Sequence, residues 1–214
     1  MDNLSELIKK HCVALTGSIS TGKTTVGKEF EKLGFLIVDA DQLAREAVKP
    51  GSSGLEKIQK LFGDSIIDPK SKTLNRAALS KIVFENKKML EQLENITHPL
   101  IRGLLGEKVR EYCNYSENAL RKPVIYEAAL IFEKKVSDQF LTTICTYCSE
   151  DVQMQRLMER DQISRSTADK LIKSQISAIE KAKNAEFAID TALPQSEVKR
   201  EISRIARLLD NYKS

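Results

Sequence analysis

The chain has 214 residues, 41% of them hydrophobic and 30% charged, with a formal net charge of +4. That length suits one sizeable domain, or a core domain with modest insertions, and the composition excludes a disordered tail, a collagen-like repeat and a disulfide miniprotein. The mild positive charge is compatible with small anionic substrates and too weak to argue for nucleic acid. No apolar run approaches the roughly 20 residues that span a bilayer. The first ten residues carry Asp2 and Glu6 and no long apolar stretch, so they do not read as a signal peptide. Four cysteines without an export signal read as reduced thiols in a cytoplasmic protein. Cys145 and Cys148 have the spacing of a redox or zinc pair, but they close a β-like run. No second pair completes a metal site, and a structural role is expected.

Taken in chain order, Cys12-Val-Ala-Leu-Thr16 reads as a buried strand entering a loop rich in Gly, Ser and Thr. Helical spacing follows over Thr24–Leu33 and stops at Gly34. Phe35–Val38 reads as a second buried strand, closing with Asp39-Ala-Asp41. Strand, loop, helix and strand in this order predict the start of a parallel α/β sheet. From Gln42 to about Cys113 strand-like runs vanish. Amphipathic stretches at Leu55–Phe62, Arg76–Phe84, Met89–Ile96 and Pro99–Tyr112 predict a helical insertion, with a break at His98-Pro99. Strands resume at Pro123–Tyr126, ending in Glu127, and at Phe140–Tyr147. The stretch from Glu150 to Lys183 is dense in Arg and Lys and poor in large apolar residues. It reads as a helical segment with little core of its own. Phe187–Asp190 suits a last short strand, and Ser196–Tyr212 an amphipathic helix with Ser196 as its N-cap.

Gly17-Ser18-Ile19-Ser20-Thr21-Gly22-Lys23-Thr24 matches G-x-x-x-x-G-K-[ST] at every position, with a strand before it and a helix after. Glycines at the two ends let the chain wrap main-chain N–H groups around a phosphate, and the helix aims its positive end at the same anion. The pattern gives Lys23 to the β- and γ-phosphates and the Thr24 hydroxyl to Mg²⁺. The chain is therefore expected to bind a nucleoside triphosphate, through Gly17 to Thr25.

A regulatory GTPase would read guanine with Asn-Lys-x-Asp; the nearest string, Asn86-Lys-Lys-Met89, lacks the acid. A motor or helicase would be longer. A small kinase needs a carboxylate at the acceptor hydroxyl, a cationic acceptor pocket and a cationic lid. Asp39 and Asp41 lie at the carboxyl end of the second strand, where open α/β sheets bind ligands. Alternation puts both on one side if the strand extends that far. One suits the acceptor hydroxyl and the other a metal-bound water; either also suits a helix cap or a turn. Glu127 stands where a metal-supporting acid or an ordinary strand-end charge would.

The runs Leu15–Val26, Val38-Asp-Ala-Asp-Gln-Leu-Ala-Arg45, Leu74-Asn-Arg-Ala-Ala-Leu79, His98-Pro-Leu-Ile-Arg102, Leu130-Ile-Phe-Glu133 and Arg156-Leu-Met-Glu-Arg-Asp161, with Ser174-Gln175 following, resemble the dephospho-coenzyme A kinase family. The similarity runs in order from about residue 12 to 191. It implies a P-loop kinase fold: a five-stranded parallel sheet core (11–44, 114–149 and 184–214), a helical acceptor domain (45–113) and a small helical lid (150–183). It implies that ATP, with Mg²⁺, phosphorylates the ribose 3′-hydroxyl of dephospho-coenzyme A, with no obligate protein partner. By position, Asp41 resembles the family's base, while Asp39, Arg45, His98 and Arg102 resemble acceptor-site residues. Arg156 and Arg160 resemble ATP-binding lid residues, and Thr24 and Glu127 metal-site residues. Solvated helix faces remain the alternative for Arg45, Arg102 and Arg160, and a structural role before proline for His98. Ser18 and Ser20 stand where the family usually has Gly, and Glu127 where it usually has Asp. Another small P-loop kinase, or a nucleotide-gated binding protein, are the competing readings.

Overall fold

The computed structural model describes residues 3–115 and 122–212. By internal contacts the chain divides into two compact units, Met1–Asp39 with Val109–Ser214, and Ala40–Lys108. No helix among the described residues is long and apolar enough to cross a membrane.

The first unit is built on β1 (Cys12–Thr16), β2 (Ile37–Asp39), β3 (Val124–Glu127), β4 (Thr142–Tyr147) and β5 (Phe187–Asp190). They form one sheet in the order β2-β3-β1-β4-β5, and every pairing is parallel. All five residues of β1 are buried, which is why its sequence is an unbroken apolar run and does not alternate. Register brings Asp39 opposite Glu127, Leu15 opposite Glu127 and Thr16 opposite Cys145. The carboxyl ends of β1, β2 and β3 thus converge on the phosphate loop. Val13, Leu15, Phe30, Ile125, Ile144 and Ile202 belong to the core that joins the sheet to α2 (Lys23–Lys32) and α10 (Gln195–Leu209). A first helix, α1 (Leu4–His11), is capped by the Asn3 side chain and buries Leu7 and Ile8.

Two expectations change here. The strand before Asp39 stops at that residue, and α3 (Ala40–Glu46) starts at once. Asp41 therefore stands in a helical first turn, and strand alternation does not relate it to Asp39. Ser196 is not the cap of α10. Pro194 is the N-cap, and its carbonyl accepts from Glu197 and Val198.

The second unit contains α3, α4 (Ser53–Phe62), α5 (Arg76–Glu85) and α6 (Lys87–Tyr115), the last running on beyond the unit. Ile58 and Ile66 are fully buried in its core, with Leu93, Ile96, Leu100 and Leu104 of α6 packed against them. Those contacts explain why the expected break at His98-Pro99 is absent and Pro99 lies inside α6. A mid-helix proline costs about 3 kcal/mol. Full burial of a large aliphatic side chain contributes about 1.5–3 kcal/mol, and although Leu93, Ile96, Leu100 and Leu104 are each only partly buried, together they outweigh it. The Thr97 hydroxyl donates to the Leu93 carbonyl in the same turn.

The polar stretch forms α7 (Glu150–Asp161), α8 (Arg165–Lys173) and α9 (Ala178–Asn184), within the first unit. It has more core than its composition predicts. Met154, Leu157, Ala168 and Ile172 form a buried cluster, and Ile19 of the phosphate loop packs against it. Few apolar residues suffice because the two helices pair closely and the loop lends one more. All four cysteines are free thiols. No group of three metal-capable side chains occurs among the described residues, and Cys145 and Cys148 are both buried.

Candidate active site

The loop geometry follows from its glycines. Gly17 has φ +148°, and a Cβ there would sit 2.5 Å from the Thr146 carbonyl oxygen and 2.6 Å from Thr21 Oγ1. Only glycine fits where the loop leaves β1 against β4. Gly22 has φ +83° and is the N-cap of α2. Helices α4, α5, α7, α8 and α9 are each capped by a Ser or Asn side chain. At α2 no side chain caps the end and no acid lies in the first turn. The main-chain N–H groups at the start of this helix thus face a site that an anion satisfies.

Ser20 completes the curve in the left-handed region, at φ +57°, a conformation uncommon for a residue with a Cβ. Its hydroxyl oxygen is buried with no hydrogen-bond partner among the described residues. Lys23 Nζ donates to the Gly17 and Ser18 carbonyls at 2.8 and 3.1 Å, so the ammonium sits inside the curve of the loop. Thr24 Oγ1 donates to Glu127 Oε1 at 2.7 Å. The side chains named from sequence for a metal are therefore in contact although 103 residues apart.

A cleft of about 600 Å³ lies over the loop, lined by Ser20, Gly22, Lys23, Thr24, Thr25, Arg156, Glu159 and Arg160. Both arginines expected to meet ATP border it. Arg156 donates to the Thr191 hydroxyl at 3.0 Å and to the Thr191 carbonyl at 2.7 Å. Arg160 forks onto the neighbouring Asp161 at 2.7 and 2.8 Å, and this pairing holds the Asp161 carboxyl below its ordinary range. An exposed pair of this kind stabilises little and is easily exchanged for a phosphate.

Asp39 closes β2 in the first unit, level with Glu127, and the remaining expected residues belong to the second unit. Asp41 and Arg45 occupy exposed positions one turn apart on α3, while Leu43 between them is buried. His98, exposed, and Arg102, half-buried, are likewise one turn apart on α6. Glu46 at the end of α3 reaches Lys108 of α6 at 3.8 Å.

Sequence reasoning missed the residues that hold the loop from behind. Thr146 shares a 2.8 Å hydrogen bond with Thr21, and Thr191 donates to the Thr21 carbonyl at 2.9 Å. Gln153 and Gln175 bond the main chain of Ile19. Lys181, fully buried, lies 2.6 Å from Glu133. Only Glu133 and Gln175 stood in runs that carried the resemblance. The others have no local signal, because each acts on a chain segment distant in sequence.

Comparison with known proteins agrees with this geometry. The family model for dephospho-CoA kinase matches residues 11–195. Dephospho-CoA kinase of Staphylococcus aureus strain Mu50 is 36% identical over 193 residues, 90% of each chain. That of Staphylococcus epidermidis is 35% identical over 193 residues, covering 90% of this chain and 92% of the other. Among solved structures, dephospho-CoA kinase from Campylobacter jejuni superposes with a TM-score of 0.68 at 29% identity, over 94% of this chain and 97% of that one. TT1252 from Thermus thermophilus, at 24% identity and a TM-score of 0.80 over 94% and 97% of the chains, shares the fold. With a family match over nearly its whole length, a P-loop on a five-stranded parallel sheet and a cationic cleft above it, the chain belongs to the dephospho-CoA kinase family.

Proposed function

We propose that this chain transfers the γ-phosphoryl group of ATP to the ribose 3′-hydroxyl of dephospho-coenzyme A, giving coenzyme A and ADP in the last step of coenzyme A biosynthesis. The observation that carries the reading is the phosphate loop. An uncapped helix end, a lysine inside the curve and two arginines border one cleft, in a chain of this family. Phosphoryl transfer passes through a loose transition state, so positioning and neutralisation of charge matter more than covalent chemistry. Lys23 holds charge on the β- and γ-phosphates. Arg156 and Arg160, in the segment 150–183 read as the lid, exchange Thr191 and Asp161 for phosphate oxygens when ATP binds.

Thr24 and Glu127 present paired oxygen donors, the ligand type Mg²⁺ prefers, and these residues would hold it. When bound, the ion supplies neutralisation of phosphate charge. Asp39, level with Glu127 in the sheet, is assigned to the acceptor. Asp41 aligns the acceptor hydroxyl and takes its proton late in the step. Arg45 and Arg102 hold the acceptor's phosphates or position it, and His98 joins them in the acceptor site on the helical domain, placed at 45–113. Free thiols, without any disulfide, support a cytoplasmic setting. No obligate protein partner is required.

The test is multiple-turnover ADP release with dephospho-coenzyme A set beside nucleoside monophosphates and small alcohols. Turnover with dephospho-coenzyme A alone is expected. Preference for any other acceptor, or ATP binding without transfer, overturns the assignment.

A further inference from the structure

Ile19 lies midway along the phosphate loop, and its peptide groups are held on both sides by side chains from outside the loop. The Ile19 N–H donates to Gln175 Oε1 at 2.8 Å, and Gln153 Nε2 donates to the Ile19 carbonyl at 2.7 Å. Gln153 stands on α7 and is only 2% exposed; Gln175 lies in the connection between α8 and α9. The Ile19 side chain packs against the cluster those helices form.

The connection is itself anchored. The Ser18 hydroxyl donates to the Ile176 carbonyl at 2.7 Å, and the Ile176 N–H donates to Glu133 Oε1 at 3.1 Å. The same carboxylate oxygen meets the fully buried Lys181, whose ammonium also donates to the Ala129 carbonyl at 2.9 Å. This is a dense set of polar contacts for one short turn of chain.

A leucine at 153 would extend the apolar cluster of Met154 and Leu157 without burying a carboxamide. Burying an amide is unfavourable unless it is hydrogen-bonded, and here the bond goes to the loop. Fixing a residue's backbone carries an entropic cost. A loop that must present several N–H groups to one anion binds it tightly only when that ordering is already made. With its N–H turned to Gln175, Ile19 acts as the fixed point from which the curve through Ser20 and Gly22 is set.

We infer that Gln153 and Gln175 are positioning residues for the phosphoryl donor: they clamp the Ile19 peptide, preset the phosphate loop, and tie it to the α7–α9 segment. The inference rests on the reading of the loop as an ATP site. The clamp asks opposite things of its two members, a donor at 153 and an acceptor at 175.

The experiment uses the full chain with Gln153→Leu, Gln175→Leu and Gln175→Glu. Amide exchange at Ile19 is followed without nucleotide. Mg-ATP binding is measured by calorimetry without acceptor, and KM and kcat are measured for both substrates. Gln175→Leu is expected to speed Ile19 exchange about tenfold, while Gln175→Glu, which keeps the acceptor, leaves it slow. Each leucine variant is expected to weaken ATP binding about 3- to 10-fold, the worth of one neutral hydrogen bond. KM for dephospho-coenzyme A should stay in place and the melting temperature should fall by no more than a few degrees, whereas a general loss of structure moves all of these together. Unchanged Ile19 exchange in Gln175→Leu, or wild-type ATP affinity in both leucine variants, overturns the clamp. If Gln153→Leu does not fold, Gln175→Leu, at a half-exposed position, decides alone. Failure of the wild-type chain itself to bind ATP overturns the proposed function instead, and the exchange arm still decides the clamp.

Discussion

In the sheet unit, the groups that face a phosphate are mostly main-chain N–H groups, placed by Gly17, Gly22 and the open end of α2. In the helical unit, the four candidate residues are side chains standing on helices: Asp41 and Arg45 on α3, His98 and Arg102 on α6. Backbone recognition fixes spacing tightly, because a single Cβ at Gly17 would strike Thr146 and Thr21. Side-chain recognition asks only that a helix present the right group, and long side chains adapt. The first therefore leaves a strong motif, and the second only a weak one. Damage should divide accordingly. Changes at the loop should abolish chemistry, and changes on the helices should separate rate from affinity.

The largest effect is expected at Lys23. Its ammonium lies within 3.1 Å of two loop carbonyls, inside the curve. Lys23→Ala should reduce kcat/KM by roughly 10³-fold or more, about 4 kcal/mol, with the melting temperature little changed. Near-normal turnover by a folded variant would remove the donor site from the sheet unit.

On the helical unit, Asp41→Asn keeps shape and removes charge and proton acceptor. We expect kcat to fall at least about 10²-fold with little change in KM for ATP. Arg102→Ala should chiefly raise KM for dephospho-coenzyme A, by roughly tenfold or more, through loss of charge-assisted contacts. Steady-state kinetics on both variants, beside their thermal melts, checks the division. An Asp41→Asn enzyme with wild-type rate, or an Arg102→Ala enzyme altered only toward ATP, would break the contrast between the units.

The smallest effect tests how tightly the sheet unit is packed beside the loop. Burial pushes the Cys145 thiol up to about 12, and burial also raises that of Cys148 despite Arg156 nearby. Burial disfavours the thiolate, so each group stays protonated and unreactive through neutral pH, and reactivity returns only as pH climbs toward the raised value. Cys12 is buried too, and Cys113 is half-buried. A thiol reagent at pH 8 should label Cys113 alone in the native protein and all four cysteines in denaturant. Rapid labelling of Cys145 would show that β4 opens beside the phosphate loop.

Much of the donor site was legible in the chain because its information is local. The loop's eight-residue spacing, the apolar run before it and the helical spacing after it all lie within Cys12–Leu33. The strands near 124, 142 and 187 were visible as apolar runs for the same reason. Local signals misled where packing outweighed them. Pro99 reads as a break, yet the aliphatic stripe of α6 carries the helix through it. Asp39-Ala-Asp41 reads as strand end, yet α3 starts at Ala40 and puts Asp41 on a helix. The segment 150–183 reads as nearly coreless, yet Ile19 completes a small core for it.

What the sequence by itself determined is a phosphate-binding loop on a parallel sheet, since a run of neighbouring residues dictates each of those features. Only the tertiary structure decided what holds that loop in place. Gln153 and Gln175 meet Ile19 across 134 and 156 residues of chain, and Thr24 meets Glu127 across 103. A hydrogen bond between such distant residues depends on how strands order and helices dock, and no spacing rule along the chain encodes it.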